Sequence, residues 1–209
     1  MSITSLSKFS VPVSGEQTNA SLLMPKLKYR FRVVMTGFGG AAGSTDLTKQ
    51  VMNVTRPGIS FENVELNVYN SKINYAGRYT WADVSLVLRD DASGKVSQLV
   101  GDQIQRQFDF MEQSSAASAG DYKFTTAIEI LDGSNGQNTQ VLESFELYGC
   151  YIQNSVYSNT DYSSSDPVDI TLTLKYDNAI QYKGSGSTGG ASGIGRALGN
   201  IVRGQLATG

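Results

Sequence analysis

Val64-Glu65-Leu66-Asn67-Val68-Tyr69, the break Asn70-Ser71-Lys72, and Ile73-Asn74-Tyr75-Ala76-Gly77 form the stretch that decides the fold. Val64, Leu66 and Val68 alternate with Glu65, Asn67 and Tyr69, and Ile73 and Tyr75 resume the same period after the polar break. Side chains on a strand point to opposite faces in turn, so each run has one apolar and one mainly polar side. A third run follows, with Val84, Leu86 and Leu88 alternating with Ser85, Val87 and Arg89. Between Arg56 and Asp90 the chain therefore writes strands and turns, with no catalytic equipment on them.

On the N-terminal side, Leu27, Tyr29, Phe31, Val33 and Met35 occupy one face of a further strand, opposite Lys28, Arg30 and Arg32. The basic stripe reads as a solvated outer face. Gly37 through Thr45 is rich in glycine and alanine and is expected to project as a loop. It lacks the Gly-Lys-Ser/Thr ending of a phosphate-binding loop. A strand over about 49–55 stops before Arg56-Pro57-Gly58, where proline has no N–H to give a sheet.

On the C-terminal side, one helix is predicted over about 93–113, with Ser93 as N-cap. Val96, Leu99, Val100, Ile104, Phe108 and Met111 recur at three- and four-residue steps, the stripe of a helix that covers a sheet. Asp102, Gln103, Arg106, Gln107 and Asp109 are expected to face away. A strand with Tyr122, Phe124, Thr126, Ile128 and Ile130 on one face follows, ended by the turn signal Asp132-Gly133-Ser134-Asn135-Gly136. Val141–Leu147 and Tyr148–Val156 make one or two strands with a bulge or bend at Gly149. Val168, Ile170, Leu172, Leu174 and Tyr176 mark the last strand. The expected architecture is mainly β, a β-barrel or sandwich of about seven strands with one packed α-helix.

The chain has 209 residues, enough for one domain with a real core plus appendages. Residues 1–24 read as an N-terminal arm, 25–182 as the β domain, and 183–209 as a Gly/Ser-rich tail. The tail carries Lys183, Arg196 and Arg203 without an acid, and the arm balances Lys8 against Glu16. The net charge of −2 therefore conceals −5 over 25–177. Histidine is absent, which removes His-based acid–base chemistry and most transition-metal sites. The single cysteine, Cys150, lies in an apolar run, reads as a packing residue and fits a reducing compartment. No segment is apolar enough to span a membrane and the N-terminus lacks a signal-peptide core, so cytoplasmic synthesis is expected. The expected protein is no enzyme, holds no cofactor or metal, and makes no stable membrane association.

One motif pulls the other way. Thr188 to Ala197, with Gly189, Gly190, Gly193 and Gly195, looks like the cofactor turn of short-chain dehydrogenases. That turn needs an apolar strand before it and an acid-bearing second strand about 20 residues later. Here a Gly/Ser linker precedes it and only 14 residues, none acidic, follow Gly195. Ile194, Leu198, Ile201 and Val202 could instead form a short apolar face. A disordered end and a docking peptide for another subunit or a partner are both expected readings.

Pro57-Gly58-Ile59 and the run Asn70-Ser71-Lys72-Ile73-Asn74-Tyr75-Ala76-Gly77-Arg78-Tyr79-Thr80-Trp81 through Leu86 closely resemble the tail tube protein family of contractile-tailed bacteriophages. Tyr148–Gln153 followed by Asp169–Tyr176 extends the resemblance, which covers about 25–180. The resemblance implies hexameric rings stacked into a hollow tube inside a contractile sheath, as part of a virion tail assembled in the bacterial cytoplasm. Its implied partners are further copies of itself, the sheath, the tape measure, baseplate and tail-terminator proteins, and DNA passing without specific binding. An acidic body suits such a conduit, since cationic walls would hold phosphates. A tube initiator or baseplate protein of the same fold, or the tube of a type VI-like secretion or injection system, remains an alternative. A carbohydrate-binding sandwich is disfavoured because the aromatics are spread among the strands.

Within this reading Val64, Leu66, Val68, Ile73 and Tyr75 are the subunit-interface candidates. Glu65 and Asn67 are lumen candidates, although the alternation permits either face to line the bore. Gly39, Gly40, Asp46 and Lys49 are candidates for ring stacking.

Overall fold

The computed structural model describes residues 25–40, 45–134 and 139–183. The arm, the dehydrogenase-like glycine motif and the apolar positions of the tail lie outside the described residues. Eleven strands and two α-helices occur among those described, with short 3-10 turns at Phe38–Gly40 and Ala119–Asp121. They are β1 (Phe31–Thr36), α1 (Thr45–Gln50), β2 (Val51–Val54), β3 (Ile59–Val68), β4 (Ser71–Trp81), β5 (Val84–Arg89) and α2 (Lys95–Gln107), then β6 (Phe108–Asp109), β7 (Ser114–Ser115), β8 (Phe124–Leu131), β9 (Val141–Tyr157), β10 (Asp169–Lys175) and β11 (Asn178–Lys183).

Seven strands form one antiparallel sheet in the order β1-β8-β9-β10-β5-β2, with β11 also paired to β9. The sheet is not closed. β9 joins its two halves, since residues 141–150 pair with β8 while residues 151–157 pair with β10. The strand is continuous through a bend at Gly149, whose φ is 68°. A Cβ there would stand 2.8 Å from Asp177 Cγ, so the bend needs glycine for conformation and for space. Lys123 holds that carboxylate at 2.6 Å.

Alternation within the core strands follows the sequence. Val84, Leu86 and Leu88 of β5 and Ile170, Leu172 and Leu174 of β10 are fully buried, as are Val33 and Met35 of β1. The basic stripe of β1 is matched by β8 and the turn after it. Arg32 pairs with Glu129 at 2.6 Å, and Arg30 donates to the Asp132 carbonyl at 2.8 Å.

The main helix is shorter than its predicted span. It begins at Lys95, with Gly94 rather than Ser93 at the cap, and Asp91 accepts from the Lys95 N–H at 3.1 Å. The chain leaves the helix after Gln107, so Phe108 enters a short strand and Met111 is 88 % exposed rather than in the core. Gln103, expected outside, is fully buried. Its amide accepts from the Gly39 N–H at 2.9 Å and donates to the Tyr122 carbonyl at 2.6 Å, so both ends are satisfied and burial is tolerated.

Candidate subunit interface

Among the described residues β3 and β4 pair only with each other and form a ribbon set apart from the main sheet. Ten residues at strand spacing give it a reach of roughly 30 Å. Among residues 59–81 only Val64, Gly77 and Trp81 are half-buried, and the rest are exposed. Trp81 anchors the base, its ring tilted against Tyr176 at 5.6 Å between centroids, and the Tyr176 hydroxyl donates to the Ala82 carbonyl at 2.9 Å. Burial pushes that phenol up to about 12, so it stays a donor across the neutral range.

The register brings the five interface candidates together. Val64 lies opposite Tyr75, Leu66 opposite Ile73 and Val68 opposite Ser71, so all five apolar side chains share one face of the ribbon tip. Leu66 is 51 % exposed and Ile73 53 %, with no side chain of the described residues covering them. Glu65 and Asn67 lie on the other face, opposite Asn74 and Lys72. Lys72 Nζ stands 3.2 Å from Glu65 Oε2, so that face presents an ion pair rather than a bare carboxylate.

The base of the ribbon is organised the other way round. Ile59 opposes Trp81 and Phe61 opposes Tyr79, and this pair of pairs lies on the face that carries Glu65 at the tip. The register shifts between Phe61 and Asn63, where Glu62 alone faces Gly77 and Arg78, which is a β-bulge on β4. Phe61 and Tyr79 are both about 55 % exposed. The sequence reading missed this second patch. Its signal was present in β3, where apolar positions change from odd (Ile59, Phe61) to even (Val64, Leu66, Val68).

Of the ring-stacking candidates, Gly39 and Gly40 follow β1 and Asp46 and Lys49 lie in α1, while residues 41–44 between them lie outside the described residues. Phe38 is buried, Gly39 is tied to Gln103, and a Cβ on Gly39 would meet Leu99 at 3.0 Å. The expected projecting loop is therefore fastened to α2 as far as Gly40, because glycine lets the backbone approach the helix. Lys49 is in the last turn of α1, a helix the sequence reading did not predict. The side chain of Asp46, also in α1, lies outside the described residues.

A cleft of about 400 Å³ borders the ends of the sheet, lined by Lys26, Lys28, Arg30 and Arg56 around Phe31, Val54, Ile128 and Ile130. The buried Glu143 bonds to Lys26 and Gln181 beside it. Burial pushes the Glu143 carboxyl up, but those bonds and the charges of Lys26 and Arg56 together hold it below its ordinary value. No group of three or more His, Cys, Asp or Glu side chains among the described residues could hold a metal. No helix among them is long and apolar enough to cross a membrane.

No protein-family model and no curated protein matches the chain. Solved structures do. A chain of the anti-feeding prophage cap, the tube-terminating cap, superposes with a TM-score of 0.59 at 13 % identity, covering 83 % of this chain and 99 % of that one. A chain of the extended sheath–tube complex of the extracellular contractile injection system PVC gives 0.56 at 14 % identity, covering 78 % and 94 %. A chain of that system's sheath/tube terminator gives 0.54 at 15 % identity, covering 76 % and 97 %. The fold is mainly β and tail-tube-like.

Proposed function

We propose that the chain is a structural subunit whose copies stack into the tube of a contractile machine. The observation that carries this is the β3–β4 ribbon, with Leu66, Ile73 and Tyr75 left half-exposed by the described residues. A two-stranded ribbon is marginal alone in water and needs a further strand or packing surface. Removing each of these half-exposed side chains from water is worth on the order of 1 kcal/mol, repeated in every copy. Edges of β1, β2 and β11 that are unpaired among the described residues add sites at which copies can continue the sheet. A head-to-tail interface of this sort propagates as rings or filaments. The role is mechanical rather than catalytic.

In the fuller form of this reading the rings are hexameric and the tube serves a phage tail, guided by sheath, tape measure, baseplate and terminator proteins. DNA then passes through the bore. The likeness to injection-system components supports a second reading equally, a tube that carries no genome. In either case Glu65 and Asn67, together on the polar face of the ribbon tip, are the residues we propose for the bore.

Negative-stain microscopy of the purified protein at high concentration tests the proposal. Rings or hollow tubes are expected, and their loss in Leu66→Asp with the β spectrum intact. A wild-type protein that stays monomeric at every concentration overturns the reading. Nuclease-protected DNA within tubes isolated from cells separates the phage form from the injection form.

A further inference from the structure

We propose that the β3–β4 ribbon is a two-sided connector that packs against two different copies of this chain, one on each face. This rests on the tube-subunit reading above. The base patch, Ile59, Phe61 and Tyr79, lies on one side, and the tip patch, Val64, Leu66 and Ile73, lies on the other.

The change of side is built into both strands. In β3 the apolar positions switch parity between Phe61 and Val64 without an inserted residue, so the apolar side reverses. In β4 the parity of Ile73, Tyr75, Tyr79 and Trp81 is constant, but the extra residue of the bulge turns the strand over between Ala76 and Tyr79. The two devices agree, and every direct apolar pair stays matched.

One neighbour covering one whole face would bury polar groups with its apolar prize. At the tip, the face continuing from Phe61 holds Asn63, Glu65, Asn67, Lys72 and Asn74. At the base, the face continuing from Leu66 holds Ser60, Glu62 and Thr80. Burying such groups without partners costs about 1–3 kcal/mol each. Two neighbours, each seated on one patch, leave both polar stretches in water.

The occupant is a second copy because the chain itself brings both halves of the contact. Each copy carries one exposed apolar base patch and one exposed apolar tip patch, so the patch of one copy can seat on a patch of the next, and β1, β2 and β11 keep an edge unpaired among the described residues. In a head-to-tail array of identical chains every ribbon then finds a seat and none is left over. Gly77 sets the geometry between the patches. A Cβ there would stand 2.9 Å from Val64 Cγ2 and 3.1 Å from the Glu62 carbonyl oxygen, so alanine must push β3 away and re-aim the tip relative to the base.

Site-directed crosslinking tests this in assembled protein. The native Cys150 is fully buried and burial pushes its thiol up to about 11, so an introduced cysteine is labelled alone. A photocrosslinker is placed at Phe61→Cys or Tyr79→Cys for the base and at Leu66→Cys or Ile73→Cys for the tip. Mixing ¹⁵N-labelled with unlabelled copies distinguishes links between copies from links within one. Base and tip probes are expected to capture different peptides of neighbouring copies. Gly77→Ala should cut the tip yield several-fold while sparing the base. Links within one copy are expected from the cross-strand neighbours of each probe, Ile73 beside Leu66 and Tyr79 beside Phe61. Capture of the same segment of a neighbouring copy by both probes overturns the two-sided connector while leaving tube assembly standing. Absence of any link between copies, in a protein that remains monomeric, overturns both.

Discussion

Gln107 holds Ile152 by both ends of its amide. Gln107 Nε2 donates to the Ile152 carbonyl at 2.9 Å, and the Ile152 N–H donates to Gln107 Oε1 at 2.9 Å. β8 reaches β9 no farther than the pair Phe124 and Cys150. Two residues on, a side chain at the end of α2 takes over the edge of β9 and continues the ladder. Gln103, one turn earlier, does the same work between Gly39 and Tyr122.

Each clamp can be removed separately. Gln107→Ala and Gln103→Ala each strand two backbone groups, and a loss of about 1–3 kcal/mol per site is expected. Urea unfolding followed by circular dichroism measures it. Gln103→Ala should cost more, since its site is fully buried and solvent cannot replace the amide. Wild-type midpoints for both variants would show that the clamps are incidental.

Gly149→Ala should destabilise the subunit by about 1–3 kcal/mol, because the position combines left-handed backbone with contact against Asp177. The paired change Gly149→Ala with Asp177→Ala relieves the contact but leaves the backbone cost. Part of the lost melting temperature should return in the double variant. No return would place the whole cost in the backbone.

Acid should loosen the chain at the Glu143 cluster. The folded carboxyl lies below its ordinary 4.5, so the unfolded chain binds the proton more readily there. Its contribution is therefore present above about pH 4.5 and is lost as pH falls through the lower folded value. Thermal melts from pH 6 to pH 3 should show a smaller drop for Glu143→Gln than for the parent. An equal drop in both would assign acid sensitivity elsewhere.

Strands buried on one side were legible because water enforces their period. β5 and β10 expose each slip of one residue, and their alternation matches burial position by position. α2 was legible in its stripe but not in Gln103, since two distant backbone partners make a polar side chain acceptable inside. β11 escaped notice because Ala179 and Ile180 are both half-buried, which leaves almost no alternation to read. α1 was absorbed into the expected second strand and the loop before it. The tip patch followed from period two, whereas the base patch required the β3–β4 register across Gly77.

β9 also bears on how the subunit carries load. Seventeen residues of uncut backbone run through both halves of the sheet, laced to β8 and β11 on one stretch and to β10 on the next. Tension along that strand strains many ladder bonds at once in shear, where tearing at an edge would open them singly. In the tube proposed above, such a tie would join the two halves of each subunit through unbroken backbone, so that a thrust at one end is passed along bonded strands to the other.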